Sequence, residues 1–291
     1  MKLKQLYIFR TVCEEESITK AAVRLSTTQP AISRAISELE DSLGVRLFER
    51  SSRKMILNET GQLFLSKVIP LLELYEDLEQ TFTENSAAWV LKLGVTPFIV
   101  DTILPDILNR FKSGSYNTEI QITVAGEREL EKQLLNRSLD LVLMEGLLEN
   151  ENLVKVPVSC EPLSVLVSPS HPLADAPSVT VPEMVEYPML LREPGSLIRQ
   201  LIDSAFLFYS VSASPIWTST SSQALLTGAE NGFGITILPR ILAEDSIRAG
   251  QLTELSVESF NLSCTSHVMF LQDKYQTIAF QALVNIILFR E

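Results

Sequence analysis

Apolar residues in the first forty positions recur at helical spacing. Leu3, Leu6, Phe9 and Val12 lie three apart and predict a first helix that closes near the acidic run Glu14 to Glu16. Ser17 is placed to cap a second, short helix with Ala21, Ala22 and Leu25 as its packing face, and Ser26, Thr27 and Thr28 end it with side chains that favour turns. Thr28 is then the N-cap of a third helix, with Pro30 in the first turn, where a missing N–H is no loss. In that helix Ile32, Ala35, Ile36 and Leu39 face a core, while Gln29, Ser33 and Ser37 share the opposite side beside Arg34. Gly44 supplies the stop, and VRLFER, SSRK and MILN read as strand, turn and strand, a hairpin wing with Arg50, Arg53 and Lys54 around its tip.

From Asn58 to about Ser86 the pattern predicts one long helix, with Phe64, Val68, Leu71, Tyr75, Leu78 and Phe82 spaced as a heptad seam. A lone helix of this length is not stable by propensity alone, so the seam calls for a partner, most simply the same helix of a second copy. Pro70 interrupts the pattern and predicts a kink. Beyond it, LKLGV, TEIQITVA and LDLVLM read as strands separated by helical stretches that begin near Phe98 and Glu127, an alternating α/β unit with a parallel sheet. PMLLRE, PIWTS and FGITILP are strands of a second such unit, from Pro162 to about Ser266. HVMFLQ and a helix from Ile278 to Phe289 return to the first. Two crossings make a hinge, and a cleft between lobes suits a small ligand. Thr96 and Glu145, directly after strands, fall where such sheets bind ligands, although turn chemistry accounts for them equally well.

Charge sharpens this picture. The chain carries 24 Lys and Arg against 36 Asp and Glu, a net charge of -12. Residues 1–66 nevertheless sum to +2 and residues 67–291 to -14, the asymmetry of a small DNA-binding module joined to an acidic sensor. No apolar run is long enough to span a membrane and the first residues lack a cleavable leader, so a cytoplasmic protein is expected, with no membrane partner. Cys13, Cys160 and Cys264 are odd in number and far apart, which fits reduced packing thiols rather than disulfides or a metal site. His171 and His267 are the only histidines, and no nucleophile elbow, P-loop or complete dinucleotide motif is present. No catalytic residue, metal or cofactor is expected, and the chain is read as no enzyme.

The exposed face of the third helix suits a major groove. Gln pairs with adenine edges, Arg with guanine, Ser with several partners, and a proline ring reaches a thymine methyl. Such a face is also what any solvated helix presents; its place between a short helix and a basic wing favours base reading. The stretch from Ser17 to Gly61, SITKAAVRLSTTQPAISRAISELEDSLGVRLFERSSRKMILNETG, closely resembles the DNA-binding domain of LysR-type transcriptional regulators. That resemblance implies that Gln29, Pro30, Ser33 and Arg34 face the groove and that Arg50 and Arg53 serve the wing. With Thr28, Ser37 and Lys54 these form the expected DNA-binding set.

SPSHPLA and GAENGFGITILP resemble recurring segments of the effector domain of the same family, which is similar to periplasmic solute-binding proteins. The resemblance implies a pocket lined by Thr96, Phe98, Gly126, Glu145, Ser196, Thr218 and Ser219. The whole is expected to be an α/β multidomain protein. Residues 1–58 would form a winged helix-turn-helix and residues 59–88 a linker and dimerisation helix. Residues 89–291 would form a two-lobed, periplasmic-binding-protein-like effector domain, with lobe I at 89–161 and 267–291 and lobe II at 162–266. Its expected partners are double-stranded promoter DNA, a second copy of itself in a homodimer that pairs into tetramers, a small-molecule effector and RNA polymerase. Thr96, Ser196, Ser219 and the helix N-termini, with Arg192 or Arg199, suggest a small carboxylate or other anion, against which the acidic balance of the domain argues. Two readings from other classes stay open: a solute-binding protein whose first domain merely dimerises, and an enzyme on the same two-lobed fold.

Overall fold

The computed structural model describes residues 1–49, 55–82, 89–114 and 116–289. The chain divides into two compact units, residues 1–87 with 273–277, and residues 88–272 with 278–291.

The first unit opens with α1 (Leu3–Glu15), α2 (Ile18–Arg24) and α3 (Gln29–Leu43). Their ends follow the local chemistry: the Ser17 hydroxyl accepts the N–H of Lys20, and Gly44 takes the left-handed conformation, φ 70°, that closes α3. Leu6, Phe9, Val12, Ala21, Ala22, Ile32, Ile36 and Leu39 bury together. Phe48 and Leu57 bridge antiparallel, with Glu49 N–H donating to Ile56 O at 2.8 Å. A hairpin therefore follows α3, and its tip lies outside the described residues.

The long helix α4 (Glu59–Phe82) starts at Asn58, whose side chain accepts the Gly61 N–H at 2.8 Å. Gly61 is required here because a Cβ would lie 2.1 Å from the Leu47 carbonyl oxygen. The expected seam divides between two faces. Val68 and Leu72 are buried in the first unit's core and Phe64 packs against it, its ring 5.2 Å from that of Phe9. Leu63, Leu71, Leu74, Tyr75 and Leu78 form the exposed stripe. A heptad count cannot separate the two because α1 supplies an apolar partner for the first half of α4. The side chain of Phe82 is outside the described residues, and α4 runs through Pro70 without interruption.

In the second unit a nine-stranded sheet runs in the order β2-β1-β3-β9-β4-β7-β5-β6, with β8 on β4. The strands are β1 (Trp89–Val95), β2 (Thr118–Val124), β3 (Leu141–Glu145), β4 (Leu153–Val167), β5 (Met189–Arg192), β6 (Trp217–Ser219), β7 (Ile235–Pro239), β8 (Thr253–Leu255) and β9 (Ser263–Leu271). The helices are α5 (Pro97–Thr102), α6 (Leu104–Ser113), α7 (Glu127–Leu135), α8 (Val181–Met184), α9 (Leu197–Phe208), α10 (Ser222–Glu230), α11 (Glu244–Arg248) and α12 (Ile278–Leu288).

The sheet is mixed rather than parallel. β1, β2 and β3 are parallel, as are β6, β5 and β7, but β9 and β4 run against their neighbours. The sequence pattern does not predict β4. Its first half pairs with β9 in one lobe and its second half with β7 and β8 in the other, with an irregularity between Pro157 and Ser159. Two prolines and that break hide a 15-residue strand from a periodicity reading. Helices cover both faces in each lobe. In the first lobe α5, α6 and α12 enclose one core and α7 another; in the second, α8 and α9 cover one face and α10 the other.

Candidate functional site

On α3, Ile32, Ile36 and Leu39 are buried and Ala35 is half-buried, which turns the other side of the helix outward. Thr28, Gln29, Pro30, Ser33, Arg34 and Ser37 are all exposed, so the structure places this set on one accessible surface. Thr28 ends the turn with extended backbone but makes no side-chain cap; its carbonyl accepts the N–H groups of Ala31 and Ile32 at 3.0 and 3.2 Å. Arg34 is 83% exposed at its side chain, and its Nε donates to Glu38, one turn further along the helix, at 2.8 Å. Arg50, Arg53 and Lys54 lie outside the described residues.

The base of the wing is anchored to α3 by Glu40. Its buried carboxylate accepts the Leu47 N–H at 2.7 Å and the Arg46 guanidinium at 2.5 Å. Met55 N–H donates to the carbonyl of Glu16, which ties the return strand to the turn after α1.

In the second unit a cavity of about 650 Å³ opens between the lobes, within the usual range for small-molecule sites. The ends of β1 and β3 and the start of α7 bring Thr96, Gly126 and Glu145 to it, and the start of α9 brings Ser196. Phe98, Thr218 and Ser219 do not line it. Phe98 faces inward from α5 and is 1% exposed among Leu93, Val95 and Ile99. Ser219 accepts the Ser221 N–H in the turn that caps α10, and Thr218 is exposed on β6; Thr220 reaches the cavity instead.

Sequence reasoning misses Glu127, Glu193 and Thr220 as cavity residues. Glu193 follows β5 directly, so the strand-end rule that finds Thr96 and Glu145 could have found it. Glu127 gives no such signal, because its role depends on the opposite lobe: its Oε1 accepts the Leu197 N–H at the start of α9, 2.9 Å away. Arg192 is buried at the end of β5. Its Nε and Nη2 donate to both oxygens of Glu193 at 2.8 and 3.0 Å, and Nη1 donates to Ser222 at 3.2 Å. Arg199 points away, to Asp203 and to the Arg192 carbonyl.

Glu145 is 4% exposed and accepts a hydrogen bond from the Thr96 hydroxyl. Burial raises its proton affinity above the ordinary carboxylate value, with the Thr96 bond opposing that rise. Glu127 is raised too, first by burial and further by Glu145 and Glu193, against the Leu197 N–H and Arg192. Cys13 and Cys264 are pushed up to about 12 by burial, so neither supplies a thiolate near neutral pH, whereas Cys160 is exposed. Among the described residues there is no cluster of potential metal ligands and no helix long and apolar enough to cross a membrane.

The sequence matches two family models. Residues 3–62 match the one described as bacterial regulatory helix-turn-helix protein, lysR family, and residues 85–289 match the LysR substrate binding domain. An HTH-type transcriptional regulator of Escherichia coli named YeiE, described as uncharacterized, is 31% identical over 255 residues, 88% of this chain and 86% of that protein. The HTH-type transcriptional regulator CfxR of Cupriavidus necator is 27% identical over 277 residues, 94% of this chain and 87% of its own. A full-length OxyR variant from Pseudomonas aeruginosa has the same fold, with a TM-score of 0.70 and 22% identity, covering 99% of this chain and 94% of that one.

Proposed function

Because the chain belongs to the LysR family of helix-turn-helix transcriptional regulators, we propose that it reads promoter DNA with α3 as a homodimer and answers to a small molecule bound between the lobes of its second unit. Gln29 and Arg34 contact base edges, Ser33 and Ser37 contact bases or phosphates beside them, and Thr28 and Pro30 meet the groove wall. Arg50, Arg53 and Lys54 hold backbone phosphate from the wing. The carrying observation is the outward polar face of α3, held by a buried opposite face and by Glu40 at the base of the wing.

Two copies pair along the exposed stripe of Leu71, Leu74 and Leu78 on α4, so that two recognition helices meet two half-sites. Dimers pair into tetramers, the protein works in the cytoplasm, and RNA polymerase is met at the promoter. The effector shifts the balance between lobe arrangements by binding one better than another, with Thr96, Gly126, Glu145 and Ser196 at the site. The chain has no catalytic role in this reading.

Selection from a pool of genomic fragments at fixed salt tests it, with a Gln29→Ala/Arg34→Ala double variant alongside. The native protein is expected to enrich an interrupted inverted repeat, and the variant to lose or relax that preference. Equal enrichment by both removes Gln29 and Arg34 from base reading; no enrichment by either overturns DNA reading by α3.

A further inference from the structure

Several of the groups around the cleft that would receive an anion are already engaged. At the start of α9 the Ser196 hydroxyl accepts the Arg199 N–H at 3.3 Å, and the Leu197 N–H is taken by Glu127 from the opposite lobe. The Arg192 guanidinium is held by both oxygens of Glu193 and by Ser222. Arg128 is exposed at the rim, beside Glu129.

The carboxylate left without a direct ion pair among the described residues is Glu145, on which Arg192 acts only from a distance while bonded to Glu193. Glu145 lines the cavity at the end of β3 and is almost fully buried. It accepts one hydrogen bond from a neutral hydroxyl, and no ion pair reaches it among the described residues. The charged lining comprises Glu127, Glu129, Glu145 and Glu193 against Arg128 and Arg192. A buried carboxylate in such surroundings is costly unless it is paired or protonated.

We infer that the effector of this cleft is a small organic cation, an amine or amidinium, whose N–H groups donate to Glu145. This rests on reading the cleft as the effector site and names the chemistry of what enters it. Without a cation beside it, burial favours the protonated carboxyl. The arriving ammonium keeps its own protons and pairs with the carboxylate, and any proton that the carboxyl holds leaves to the buffer.

The test uses the full-length protein, with putrescine, agmatine and lysine as cationic probes, and succinate, glutarate and inorganic sulfate as anionic ones, at matched ionic strength. Melting temperature and calorimetric affinity are read for the native protein, Glu145→Gln and Gly126→Trp. Gly126 lines the cavity and a Cβ there meets nothing within 4 Å, so tryptophan adds bulk at the cleft without straining the backbone. Glu145→Gln removes a buried charge while keeping its shape, and on its own is expected to melt no lower than the native protein.

A cationic probe is expected to raise the melting temperature further as its concentration rises. Its affinity should fall about tenfold or more in Glu145→Gln, the loss of one charge-assisted hydrogen bond, and disappear in Gly126→Trp. A shift from the anions alone, no shift from any cation, or equal affinity in Glu145→Gln overturns the assignment while leaving the cleft as a site. A shift undiminished in Gly126→Trp overturns the cleft reading itself.

Discussion

The carboxylate of Glu40, on the buried face of α3, accepts the backbone N–H of Leu47 at 2.7 Å, so the wing's first strand is bonded to the recognition helix by one side chain. Glu40→Ala leaves that buried N–H unpaired and is expected to destabilise the first unit by about 1.5–3 kcal/mol, measured by urea denaturation. Arg46 binds the same carboxylate from a half-exposed position, and Arg46→Ala is expected to cost far less. Equal losses would place the anchor in the ion pair rather than in the bond to the backbone.

On the proposed reading of DNA by α3, Glu38 is a competitor for the Arg34 guanidinium. The pair is exposed and lies within one helix turn, so Glu38→Gln is expected to leave thermal stability unchanged. The substitution frees a guanidinium and removes a negative charge from the face that meets phosphate. DNA affinity should therefore rise, read from binding curves at fixed salt. Unchanged affinity would show that Arg34 stays outside the interface.

Leucines on two faces of α4 are expected to separate folding from pairing. Leu72 is fully buried in the first unit's core, and Leu72→Ala is expected to cost about 2–5 kcal/mol. Leu78 is 51% exposed, and Leu74→Glu/Leu78→Glu is expected to yield folded monomers with intact helix content. Sedimentation and circular dichroism on the two variants check this; a dimer that persists in the double variant would move the interface elsewhere.

Burial raises Glu145 and Glu127 above their ordinary value of 4.5, so the folded protein holds protons that the unfolded chain has released. Stability from these groups is present at low pH and lost as pH climbs from 4.5 through their raised values. The melting temperature of Glu145→Gln is expected to gain on that of the native protein as pH climbs above 4.5. The comparison cancels groups common to both, such as Glu183, which shifts the opposite way through its capping bonds with Thr180. A constant difference across that range would mean that Glu145 ionises in the fold as it does in the unfolded chain.

Chain-local features are legible in the amino-acid order alone. Ser17 caps the helix its position suggests, because a cap is a bond across three residues. Thr96, Gly126, Glu145 and Ser196 reach the cavity because the ends of parallel strands and the starts of helices gather at one side of such a sheet. Phe98 fails for a related reason: one residue into α5, helix rotation carries the side chain from the cleft into the core.

The sequence by itself determined the helix order of the first unit, the outward face of α3 and the α/β character of the second half, since each follows from spacing within a few turns of chain. Only the tertiary structure decided which leucines of α4 turn to α1 and which outward, how β4 serves both lobes, and how the cleft is charged. Glu127 meets Leu197 across 70 positions of sequence, and Glu145 lacks a cation because the neighbouring guanidinium of Arg192 is held by Glu193. Whether a charge is paired depends on every group that folding brings near it, and no local pattern contains that list.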